Sequence, residues 1–222
     1  MFETISHQLT PITAALFSSK TRSKILVCSL ILFNQRGFNN VTTASIAKHT
    51  GILDGSLWYH FNTKKDILSA HIELLKQVFL TKNMQAKSTE FETFVFGIFR
   101  AYDLIWDFRY ILRDDFQKSS TIDELVLEST QNINNYIDKW VHSRIEHSYE
   151  NGLLQIDTDE IENISEITLV IGRYWLDYSG KKYPNVNDLS LRTKGLNHIF
   201  KVLKPYFSSK ANLVITRMMA ER

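Results

Sequence analysis

The stretch that decides the fold is Thr42–Phe61, which reads TTASIAKHTGILDGSLWYHF. Thr42 has the residue type that caps the start of a helix, and Gly51 supplies the sharp corner that ends it. Leu57 and Phe61 lie four residues apart, which gives a second short helix one apolar face and leaves its polar and aromatic residues on the other sides. Two such helices form a helix-turn-helix, the unit whose second helix enters the DNA major groove.

Basic residues are concentrated around this motif. Residues 20–65 contain seven basic residues and one acidic residue, Asp54, for a net charge of +6. Residues 66–222 contain nineteen basic and twenty-two acidic residues, for a net charge of −3, and Glu3 completes the +2 of the whole chain. A solvated basic surface would explain the charge alone. With the motif inside the same segment, the pattern favours attraction of DNA phosphates.

A longer pattern surrounds the motif, from Thr21 to Leu68. Its members are Thr21, Arg22, Ile25, Leu26, Leu30, Phe33, Gly37, Phe38, Thr42, Ile46, Ala47, Gly51, Gly55, Leu57, Phe61, Lys64, Asp66, Ile67 and Leu68. Together they resemble the N-terminal DNA-binding domain of the TetR (tetracycline-repressor-like) family of bacterial transcription regulators. Three positions depart from that family's usual pattern: Leu53 replaces a capping serine, Trp58 a phosphate-contacting tyrosine, and Ala44 a frequent arginine.

The motif and the resemblance predict which residues contact double-stranded DNA. The residues expected to contact bases and nearby phosphates are Ser56, Tyr59, His60, Thr43 and Lys48. The residues expected to position the phosphate backbone are Thr42, Trp58 and Lys64.

The sequence predicts an all-α protein with a small head and a larger body. We expect an N-terminal segment over residues 1–19, a three-helix helix-turn-helix domain over residues 20–66, and a helical effector-binding and dimerisation domain over residues 67–222. The first segment forms either a loose arm or a short helix between Ile12 and Phe17.

Turn and capping residues divide the chain after the motif into helices. Thr63 with Asp66 predicts a capping box, and Asp157 with Glu160 predicts a second capping pair. The expected helices are Thr63–Met84, Glu90–Phe108, Tyr110–Lys118, Thr121–Glu150, Asp159–Gly180 and Asp188–Phe207.

Aromatic residues cluster in the first part of the body. Nine of the chain's twenty-seven lie between Phe91 and Phe116, which indicates either a well-filled core or the wall of a small-molecule cavity. In the TetR-like family this region surrounds the inducer pocket, so the resemblance favours the cavity. The predicted ligand-binding residues are Phe99, Tyr102, Trp106, Tyr110, Trp140, Trp175 and Tyr178.

The last two predicted helices carry apolar residues on more than one face. One protomer offers few partners for so much apolar surface, and a two-fold homodimer would also place two recognition helices one DNA turn apart. The predicted dimer-interface residues are Ile164, Ile171, Gly172, Leu196, Ile199 and Leu203.

Other residue patterns argue against catalysis and membrane insertion. The seven His lack metal-site spacings, and no glycine-rich phosphate loop or Gly-x-Ser-x-Gly elbow occurs, so we expect no metal, no cofactor and no enzyme. No apolar run approaches the length of a membrane span, and the start lacks the features of a secretory signal. Cys28, expected in the core, is the single cysteine and excludes an intramolecular disulfide, so the expected compartment is the cytoplasm.

These observations predict a ligand-responsive transcriptional regulator. We expect a repressor that binds a near-palindromic operator as a dimer and is released by a small, mostly apolar effector. The alternative is a DNA-binding protein without a small-molecule ligand, whose helical body serves only dimerisation or protein docking.

Overall fold

The computed structural model describes residues 6–80, 91–113, 116 and 124–221. The regular elements in these ranges are helical, and the extended pairing seen there is one isolated antiparallel bridge between Leu154 and Phe207. The predicted all-α class is therefore confirmed. The chain forms two compact units: unit 1 comprises Met1–Met84 and Arg100–Ile133, and unit 2 comprises Gln85–Phe99 and Asn134–Arg222.

The described residues form a series of helices along the chain. In order they are α1 (Pro11–Ala14), α2 (Thr21–Arg36), α3 (Thr43–Thr50), α4 (Asp54–His60), α5 (Lys64–Phe79), α6 (Phe91–Asp107), α7 (Arg109–Leu112), α8 (Glu124–Glu150), α9 (Glu160–Lys182), α10 (Asp188–Leu203) and α11 (Ser209–Ala220), with a 3₁₀ turn at Lys204–Tyr206. The boundary between the two units falls inside α6 and inside α8.

One predicted helix end and one predicted helix cap in the middle of the chain are wrong. The helix predicted over Tyr110–Lys118 ends at Leu112 because Arg113 is extended, although residues 114, 115, 117 and 118 lie outside the described ranges. Asp157 does not cap α9 with its side chain. Its backbone carbonyl accepts the N–H of Glu160 at 3.1 Å, and Asp159 occupies the capping position without a side-chain hydrogen bond.

The C-terminal part of the chain also differs from the prediction. Helix α10 was predicted to reach Phe207 but ends at Leu203. The reason is that Pro205 cannot donate the backbone hydrogen bond that would continue the helix. A further helix, α11, follows and was missed. Its cap is Ser208, whose hydroxyl accepts the N–H of Ala211 at 3.3 Å.

Helix α2 forms the centre of unit 1. Its residues 25–34 are all buried, so it packs against neighbours on every side instead of along one stripe. The expected core position of Cys28 is confirmed, since this residue is 1% exposed, and burial raises the pKa of its thiol.

The segment before α2 is tied to the rest of unit 1 by a buried carboxylate. Asp107 accepts hydrogen bonds from the backbone N–H of Thr10 at 2.8 Å and from its hydroxyl at 2.6 Å. Burial raises the pKa of Asp107, and the hydrogen bonds from Thr10 and Thr13, together with the charge of Arg109, partly oppose that rise. The described part of this segment therefore contains a short helix, is bonded to the rest of unit 1, and is not a loose arm. That helix, α1, begins one residue before the predicted Ile12 and ends three before Phe17.

Unit 2 is organised around the contact between α9 and α10. A Cβ on Gly172 would lie 3.7 Å from Cδ1 of Ile199, an ordinary van der Waals distance, so the contact between the two helices would also accept an alanine here. The indole N–H of Trp175 donates to the carbonyl of Leu191 at 2.9 Å, which links the same two helices. Arg173 joins α9 to α8 by an ion pair with Asp138. No helix in the described part of the chain is both long enough and apolar enough to span a membrane.

Candidate nucleic-acid interface

The turn between α3 and α4 forms as the sequence predicts. The hydroxyl of Thr42 accepts the N–H of Ser45 at 3.1 Å, and the hydroxyl of Ser45 accepts the N–H of Thr42 at 3.2 Å, a reciprocal capping box. Gly51 ends α3 with φ +75° and ψ +34°, the left-handed conformation that costs glycine least. These local interactions set where α4 begins.

Helix α4 presents one buried face and one solvent-facing face. Leu57 is fully buried and Phe61 is 4% exposed, as predicted for the inward side. Tyr59 is 85% exposed and Trp58 is 46% exposed, and Ser56 also faces solvent. The helix is therefore held by its inner face alone, and its outer face is available to a partner.

The remaining predicted DNA-contact residues lie around α4. The ring of His60 meets that of Tyr59 edge to face with centroids 5.1 Å apart. Thr43 is partly exposed at the start of α3, and Lys48 is exposed near its end. Thr42 is exposed as well, but its hydroxyl oxygen already serves as the helix cap.

Leu53 stands at the capping position of α4 and makes no side-chain cap. Its side chain is 83% exposed, so an apolar group projects into solvent at the N-terminal end of the recognition helix. In complexes of this type the N-terminal residues of the second helix contact base edges, and apolar side chains there contact the thymine methyl group.

Lys64 has a structural role that the sequence did not indicate. Its ammonium group donates to the backbone carbonyls of Phe38 at 2.7 Å and Val41 at 2.9 Å, and it lies 4.3 Å from the centroid of the Phe38 ring. Partial burial lowers the pKa of this lysine. Lys64 thus fastens the loop between α2 and α3 to the start of α5, in addition to the phosphate contact expected of it.

Replacing Lys64 by Ala is therefore expected to lower both DNA affinity and stability. Loss of two partly exposed bonds from a charged donor should reduce the free energy of unfolding by about 1–2 kcal/mol. Urea denaturation measures this. Lys65→Ala, at the exposed neighbouring position, is the control and should change stability by less than about 0.5 kcal/mol. Equal stability of the two variants would show that the carbonyl contacts of Lys64 contribute nothing.

A second feature with functional potential is a cavity of about 80 Å³ inside unit 2. Helices α6, α8, α9, α10 and α11 all contribute to its wall, which is mostly apolar. Trp140 and Arg144, one helical turn apart on α8, are among the lining residues.

The structure brings one of the seven predicted ligand-binding residues, Trp140, to this cavity. Tyr102, Trp106 and Tyr110 are buried in unit 1, where the ring of Trp106 lies 4.5 Å from the Arg109 guanidinium carbon and Tyr110 bonds to His71. In unit 2, Phe99 packs against Phe200, Trp175 is tied to Leu191, and Tyr178 stacks on Tyr174. Arg144 was missed, although its spacing of four from Trp140 places both on one helix face.

The predicted dimer-interface residues are mostly covered within the protomer itself. Ile164 and Leu196 are 1% exposed, Ile199 and Leu203 are also buried, Ile171 is partly buried, and Gly172 faces Ile199. The uncovered apolar side chains of α9 are instead Ile167, Val170 and Tyr174, which are 41%, 65% and 66% exposed. Their spacing of three and four residues makes one continuous stripe along the helix.

The fold and the exposed outer face of α4 define a helix-turn-helix DNA-binding protein. A family model described as bacterial regulatory proteins of the tetR family matches residues 25–71, and one described as a bacterial transcriptional repressor matches residues 75–213. The chain belongs to the TetR family of bacterial transcriptional regulators.

Individual relatives are distant. The regulator AcrR of Shigella flexneri is 37% identical over 57 residues, which is 26% of this chain and 26% of AcrR, so that match spans about a quarter of its length. The biofilm operon negative regulator IcaR of Staphylococcus aureus is 23% identical over 170 residues, covering 71% of this chain and 84% of IcaR. The crystal structure of a TetR-family regulator from Marinobacter aquaeolei VT8 is 23% identical, with a TM-score of 0.68 over 91% of this chain and 98% of that one.

Proposed function

We propose that this transcriptional regulator is a ligand-responsive repressor that binds a near-palindromic operator as a homodimer in the cytoplasm, without catalytic activity. The observation that carries the proposal is the outer face of α4. Its exposed Ser56, Trp58 and Tyr59 belong to the segment of net charge +6, which also contains the exposed Arg22, Arg36 and Lys48. Cations of this kind bind phosphates without sequence preference, and the polar and aromatic tips of α4 reach base edges.

Tyr59→Ala and His60→Ala are expected to reduce operator discrimination. Each lost base contact should cost about 1–3 kcal/mol on the specific sequence, roughly 5- to 150-fold in affinity. The measurement is fluorescence anisotropy with the operator and with a scrambled duplex of the same length. The control is Lys48→Ala, which should weaken both duplexes alike and flatten the salt dependence. If both α4 variants keep the discrimination of the unmodified protein, α4 is not the reading element.

The second part of the proposal is the homodimer. The apolar stripe of Ile167, Val170 and Tyr174 exposes large side chains in a row, and such a row marks an interaction surface. A second copy of the chain is the occupant we propose, because a near-palindromic operator requires two heads related by a two-fold axis. A protein partner of another kind on this stripe is the alternative, in which case the purified protein would be monomeric.

The third part is release by an effector in the cavity of unit 2. A ligand shifts the equilibrium between DNA-binding and non-binding states only by its differential affinity for them. A tenfold loss of operator affinity therefore requires about 1.4 kcal/mol of coupling. The alternative, a body without a ligand, is separated from this proposal by the melting temperature measured in a metabolite panel, since a bound effector stabilises the protein.

A further inference from the structure

Leu53 has the largest exposed fraction of any Leu, Ile or Val in the described residues, at 83%. Its backbone is held in place, because its carbonyl accepts the N–H groups of Ser56 at 3.0 Å and Leu57 at 3.2 Å. Leu57 is fully buried, so these bonds attach the start of α4 to the core of unit 1. The side chain of Leu53 therefore projects into solvent from a fixed backbone position.

Among the described residues, neither capping nor core packing accounts for a leucine at this position. Leu53 makes no side-chain cap on α4, although Ser, Thr, Asp or Asn there would stabilise the start of the helix. It also adds little to the apolar core, because most of its surface stays in contact with water. Single exposed leucines are common on protein surfaces, so the place of this one in the fold decides what it does.

Leu53 lies at the end of α4 that approaches base edges in a helix-turn-helix complex. Asp54 follows directly and is exposed, and its carboxylate repels phosphate oxygens. Base edges are therefore more favourable neighbours than the phosphate backbone for this end of the helix. Among the base edges of the major groove, the apolar group is the C5-methyl of thymine.

We propose that the side chain of Leu53 contacts a thymine methyl group in each half-site of the operator and so selects thymine there. This contact removes apolar surface of both groups from water, which favours thymine over a base without the methyl group. Ser56 and His60 carry hydrogen-bonding groups instead, which recognise the polar base edges. The assignment rests on the proposed function, because it requires α4 to be the helix that enters the major groove.

The test removes the two contacting groups separately. The probe is the duplex that the full chain selects from a random DNA library, with each thymine replaced in turn by uracil, which lacks only the methyl group. Fluorescence anisotropy measures the affinity. At one thymine of each half-site, uracil is expected to lower the affinity of the unmodified protein about three- to fivefold, the effect of burying one methyl group. Replacement in both half-sites should lower the affinity roughly 10- to 25-fold.

Leu53→Ala is expected to bind thymine and uracil alike at those two positions and to respond as the unmodified protein does at every other thymine. Leu53→Met, which keeps a flexible apolar side chain, should still prefer thymine. Both variants should melt with the unmodified protein, because substitutions at exposed positions change stability little. Leu213→Ala is the control, since Leu213 is 74% exposed in unit 2, and its responses to uracil should be those of the unmodified protein.

The outcomes separate this assignment from the proposed function. Equal responses of Leu53→Ala and the unmodified protein to uracil at every thymine overturn the Leu53 assignment. If Tyr59→Ala and His60→Ala still lose operator discrimination in that case, the proposed role of α4 stands without Leu53. If the library yields no preferred duplex, sequence recognition by α4 is overturned and the Leu53 assignment with it. A thymine whose methyl group is detected by the unmodified protein and Leu53→Met, but not by Leu53→Ala, supports the assignment.

Discussion

Val170→Glu and Tyr174→Glu are expected to split the dimer and to lower operator affinity by at least about 100-fold. Both side chains are about two-thirds exposed in the protomer, so a charge there costs the folded protomer little. In a dimer the same charge would be buried in an apolar contact without a partner, which costs several kcal/mol. A single head then contacts only one half-site. Light scattering measures the assembly state and fluorescence anisotropy measures operator binding.

Leu125→Glu provides the matched control for these variants. Leu125 is 75% exposed on α8, so the substitution places the same charge on an equally exposed apolar position outside the stripe. This variant should remain dimeric and bind the operator normally. Light scattering that shows the unmodified protein to be a monomer at micromolar concentration, or a dimeric Val170→Glu variant that retains operator binding, would contradict the proposed interface.

The second large effect is a loss of stability in mild acid that originates at His71. This residue is fully buried, and its Nε2 lies 3.0 Å from the carbonyl of Leu26, so Nε2 carries the proton and donates it. Nδ1 then accepts the hydroxyl proton of Tyr110 at 2.8 Å. The rings of Phe33 and Phe108 flank the imidazole at 6.0 Å. Burial lowers the pKa of His71 from 6.5 to about 4.

Because the folded-state pKa lies below the unfolded-state value, the unfolded chain binds this proton first. The contribution of neutral His71 to stability is complete above pH 6.5 and is lost as the pH falls toward 4. Between pH 8 and pH 4.5 the free energy of unfolding should fall by about 2.5 kcal/mol from this group. Urea denaturation at both pH values measures the change, and His71→Gln should show a change smaller by about that amount.

Two controls accompany the acid experiment. His49→Gln, at an exposed histidine of α3, should leave the pH dependence of stability as it is in the unmodified protein. If His71→Gln does not fold, the ring of His71 can be observed directly by NMR in the unmodified protein. A His71 resonance that titrates near pH 6.5 would refute the assignment of the acid sensitivity to this residue.

Helix starts that depend on local capping were predictable from the sequence, and those that depend on tertiary contacts were not. Thr42 and Thr63 cap their helices because both partners lie within three residues. Asp157 has the same local pattern, but the chain uses its carbonyl and not its carboxylate. The end of α7 at Leu112 has no local stop signal, so periodicity alone did not reveal the break at Arg113.

The position of the cavity also could not be predicted from the sequence. Aromatic density between Phe91 and Phe116 signals side-chain volume, and volume fills a core as readily as it lines a hollow. Tyr110 shows the difference, because its hydroxyl is hydrogen-bonded to His71, which lies 39 residues away in the sequence. Similarly, the periodicity of α9 revealed that an apolar face exists. It did not reveal that α10 covers Ile164 while Val170 stays exposed.

The buried polar links of unit 1 determine when the DNA-binding head can finish folding during synthesis. Thr10 and Asn34 bond to Asp107, and His71 bonds to Tyr110, across separations of 97, 73 and 39 residues. At about 5–20 residues per second, a ribosome needs roughly 5–20 s to travel from Thr10 to Asp107. Throughout that interval the helix-turn-helix has its local caps, but α2 and α5, which flank it, lack these distant partners. A fragment that ends with α5 would remain in this unfinished state permanently.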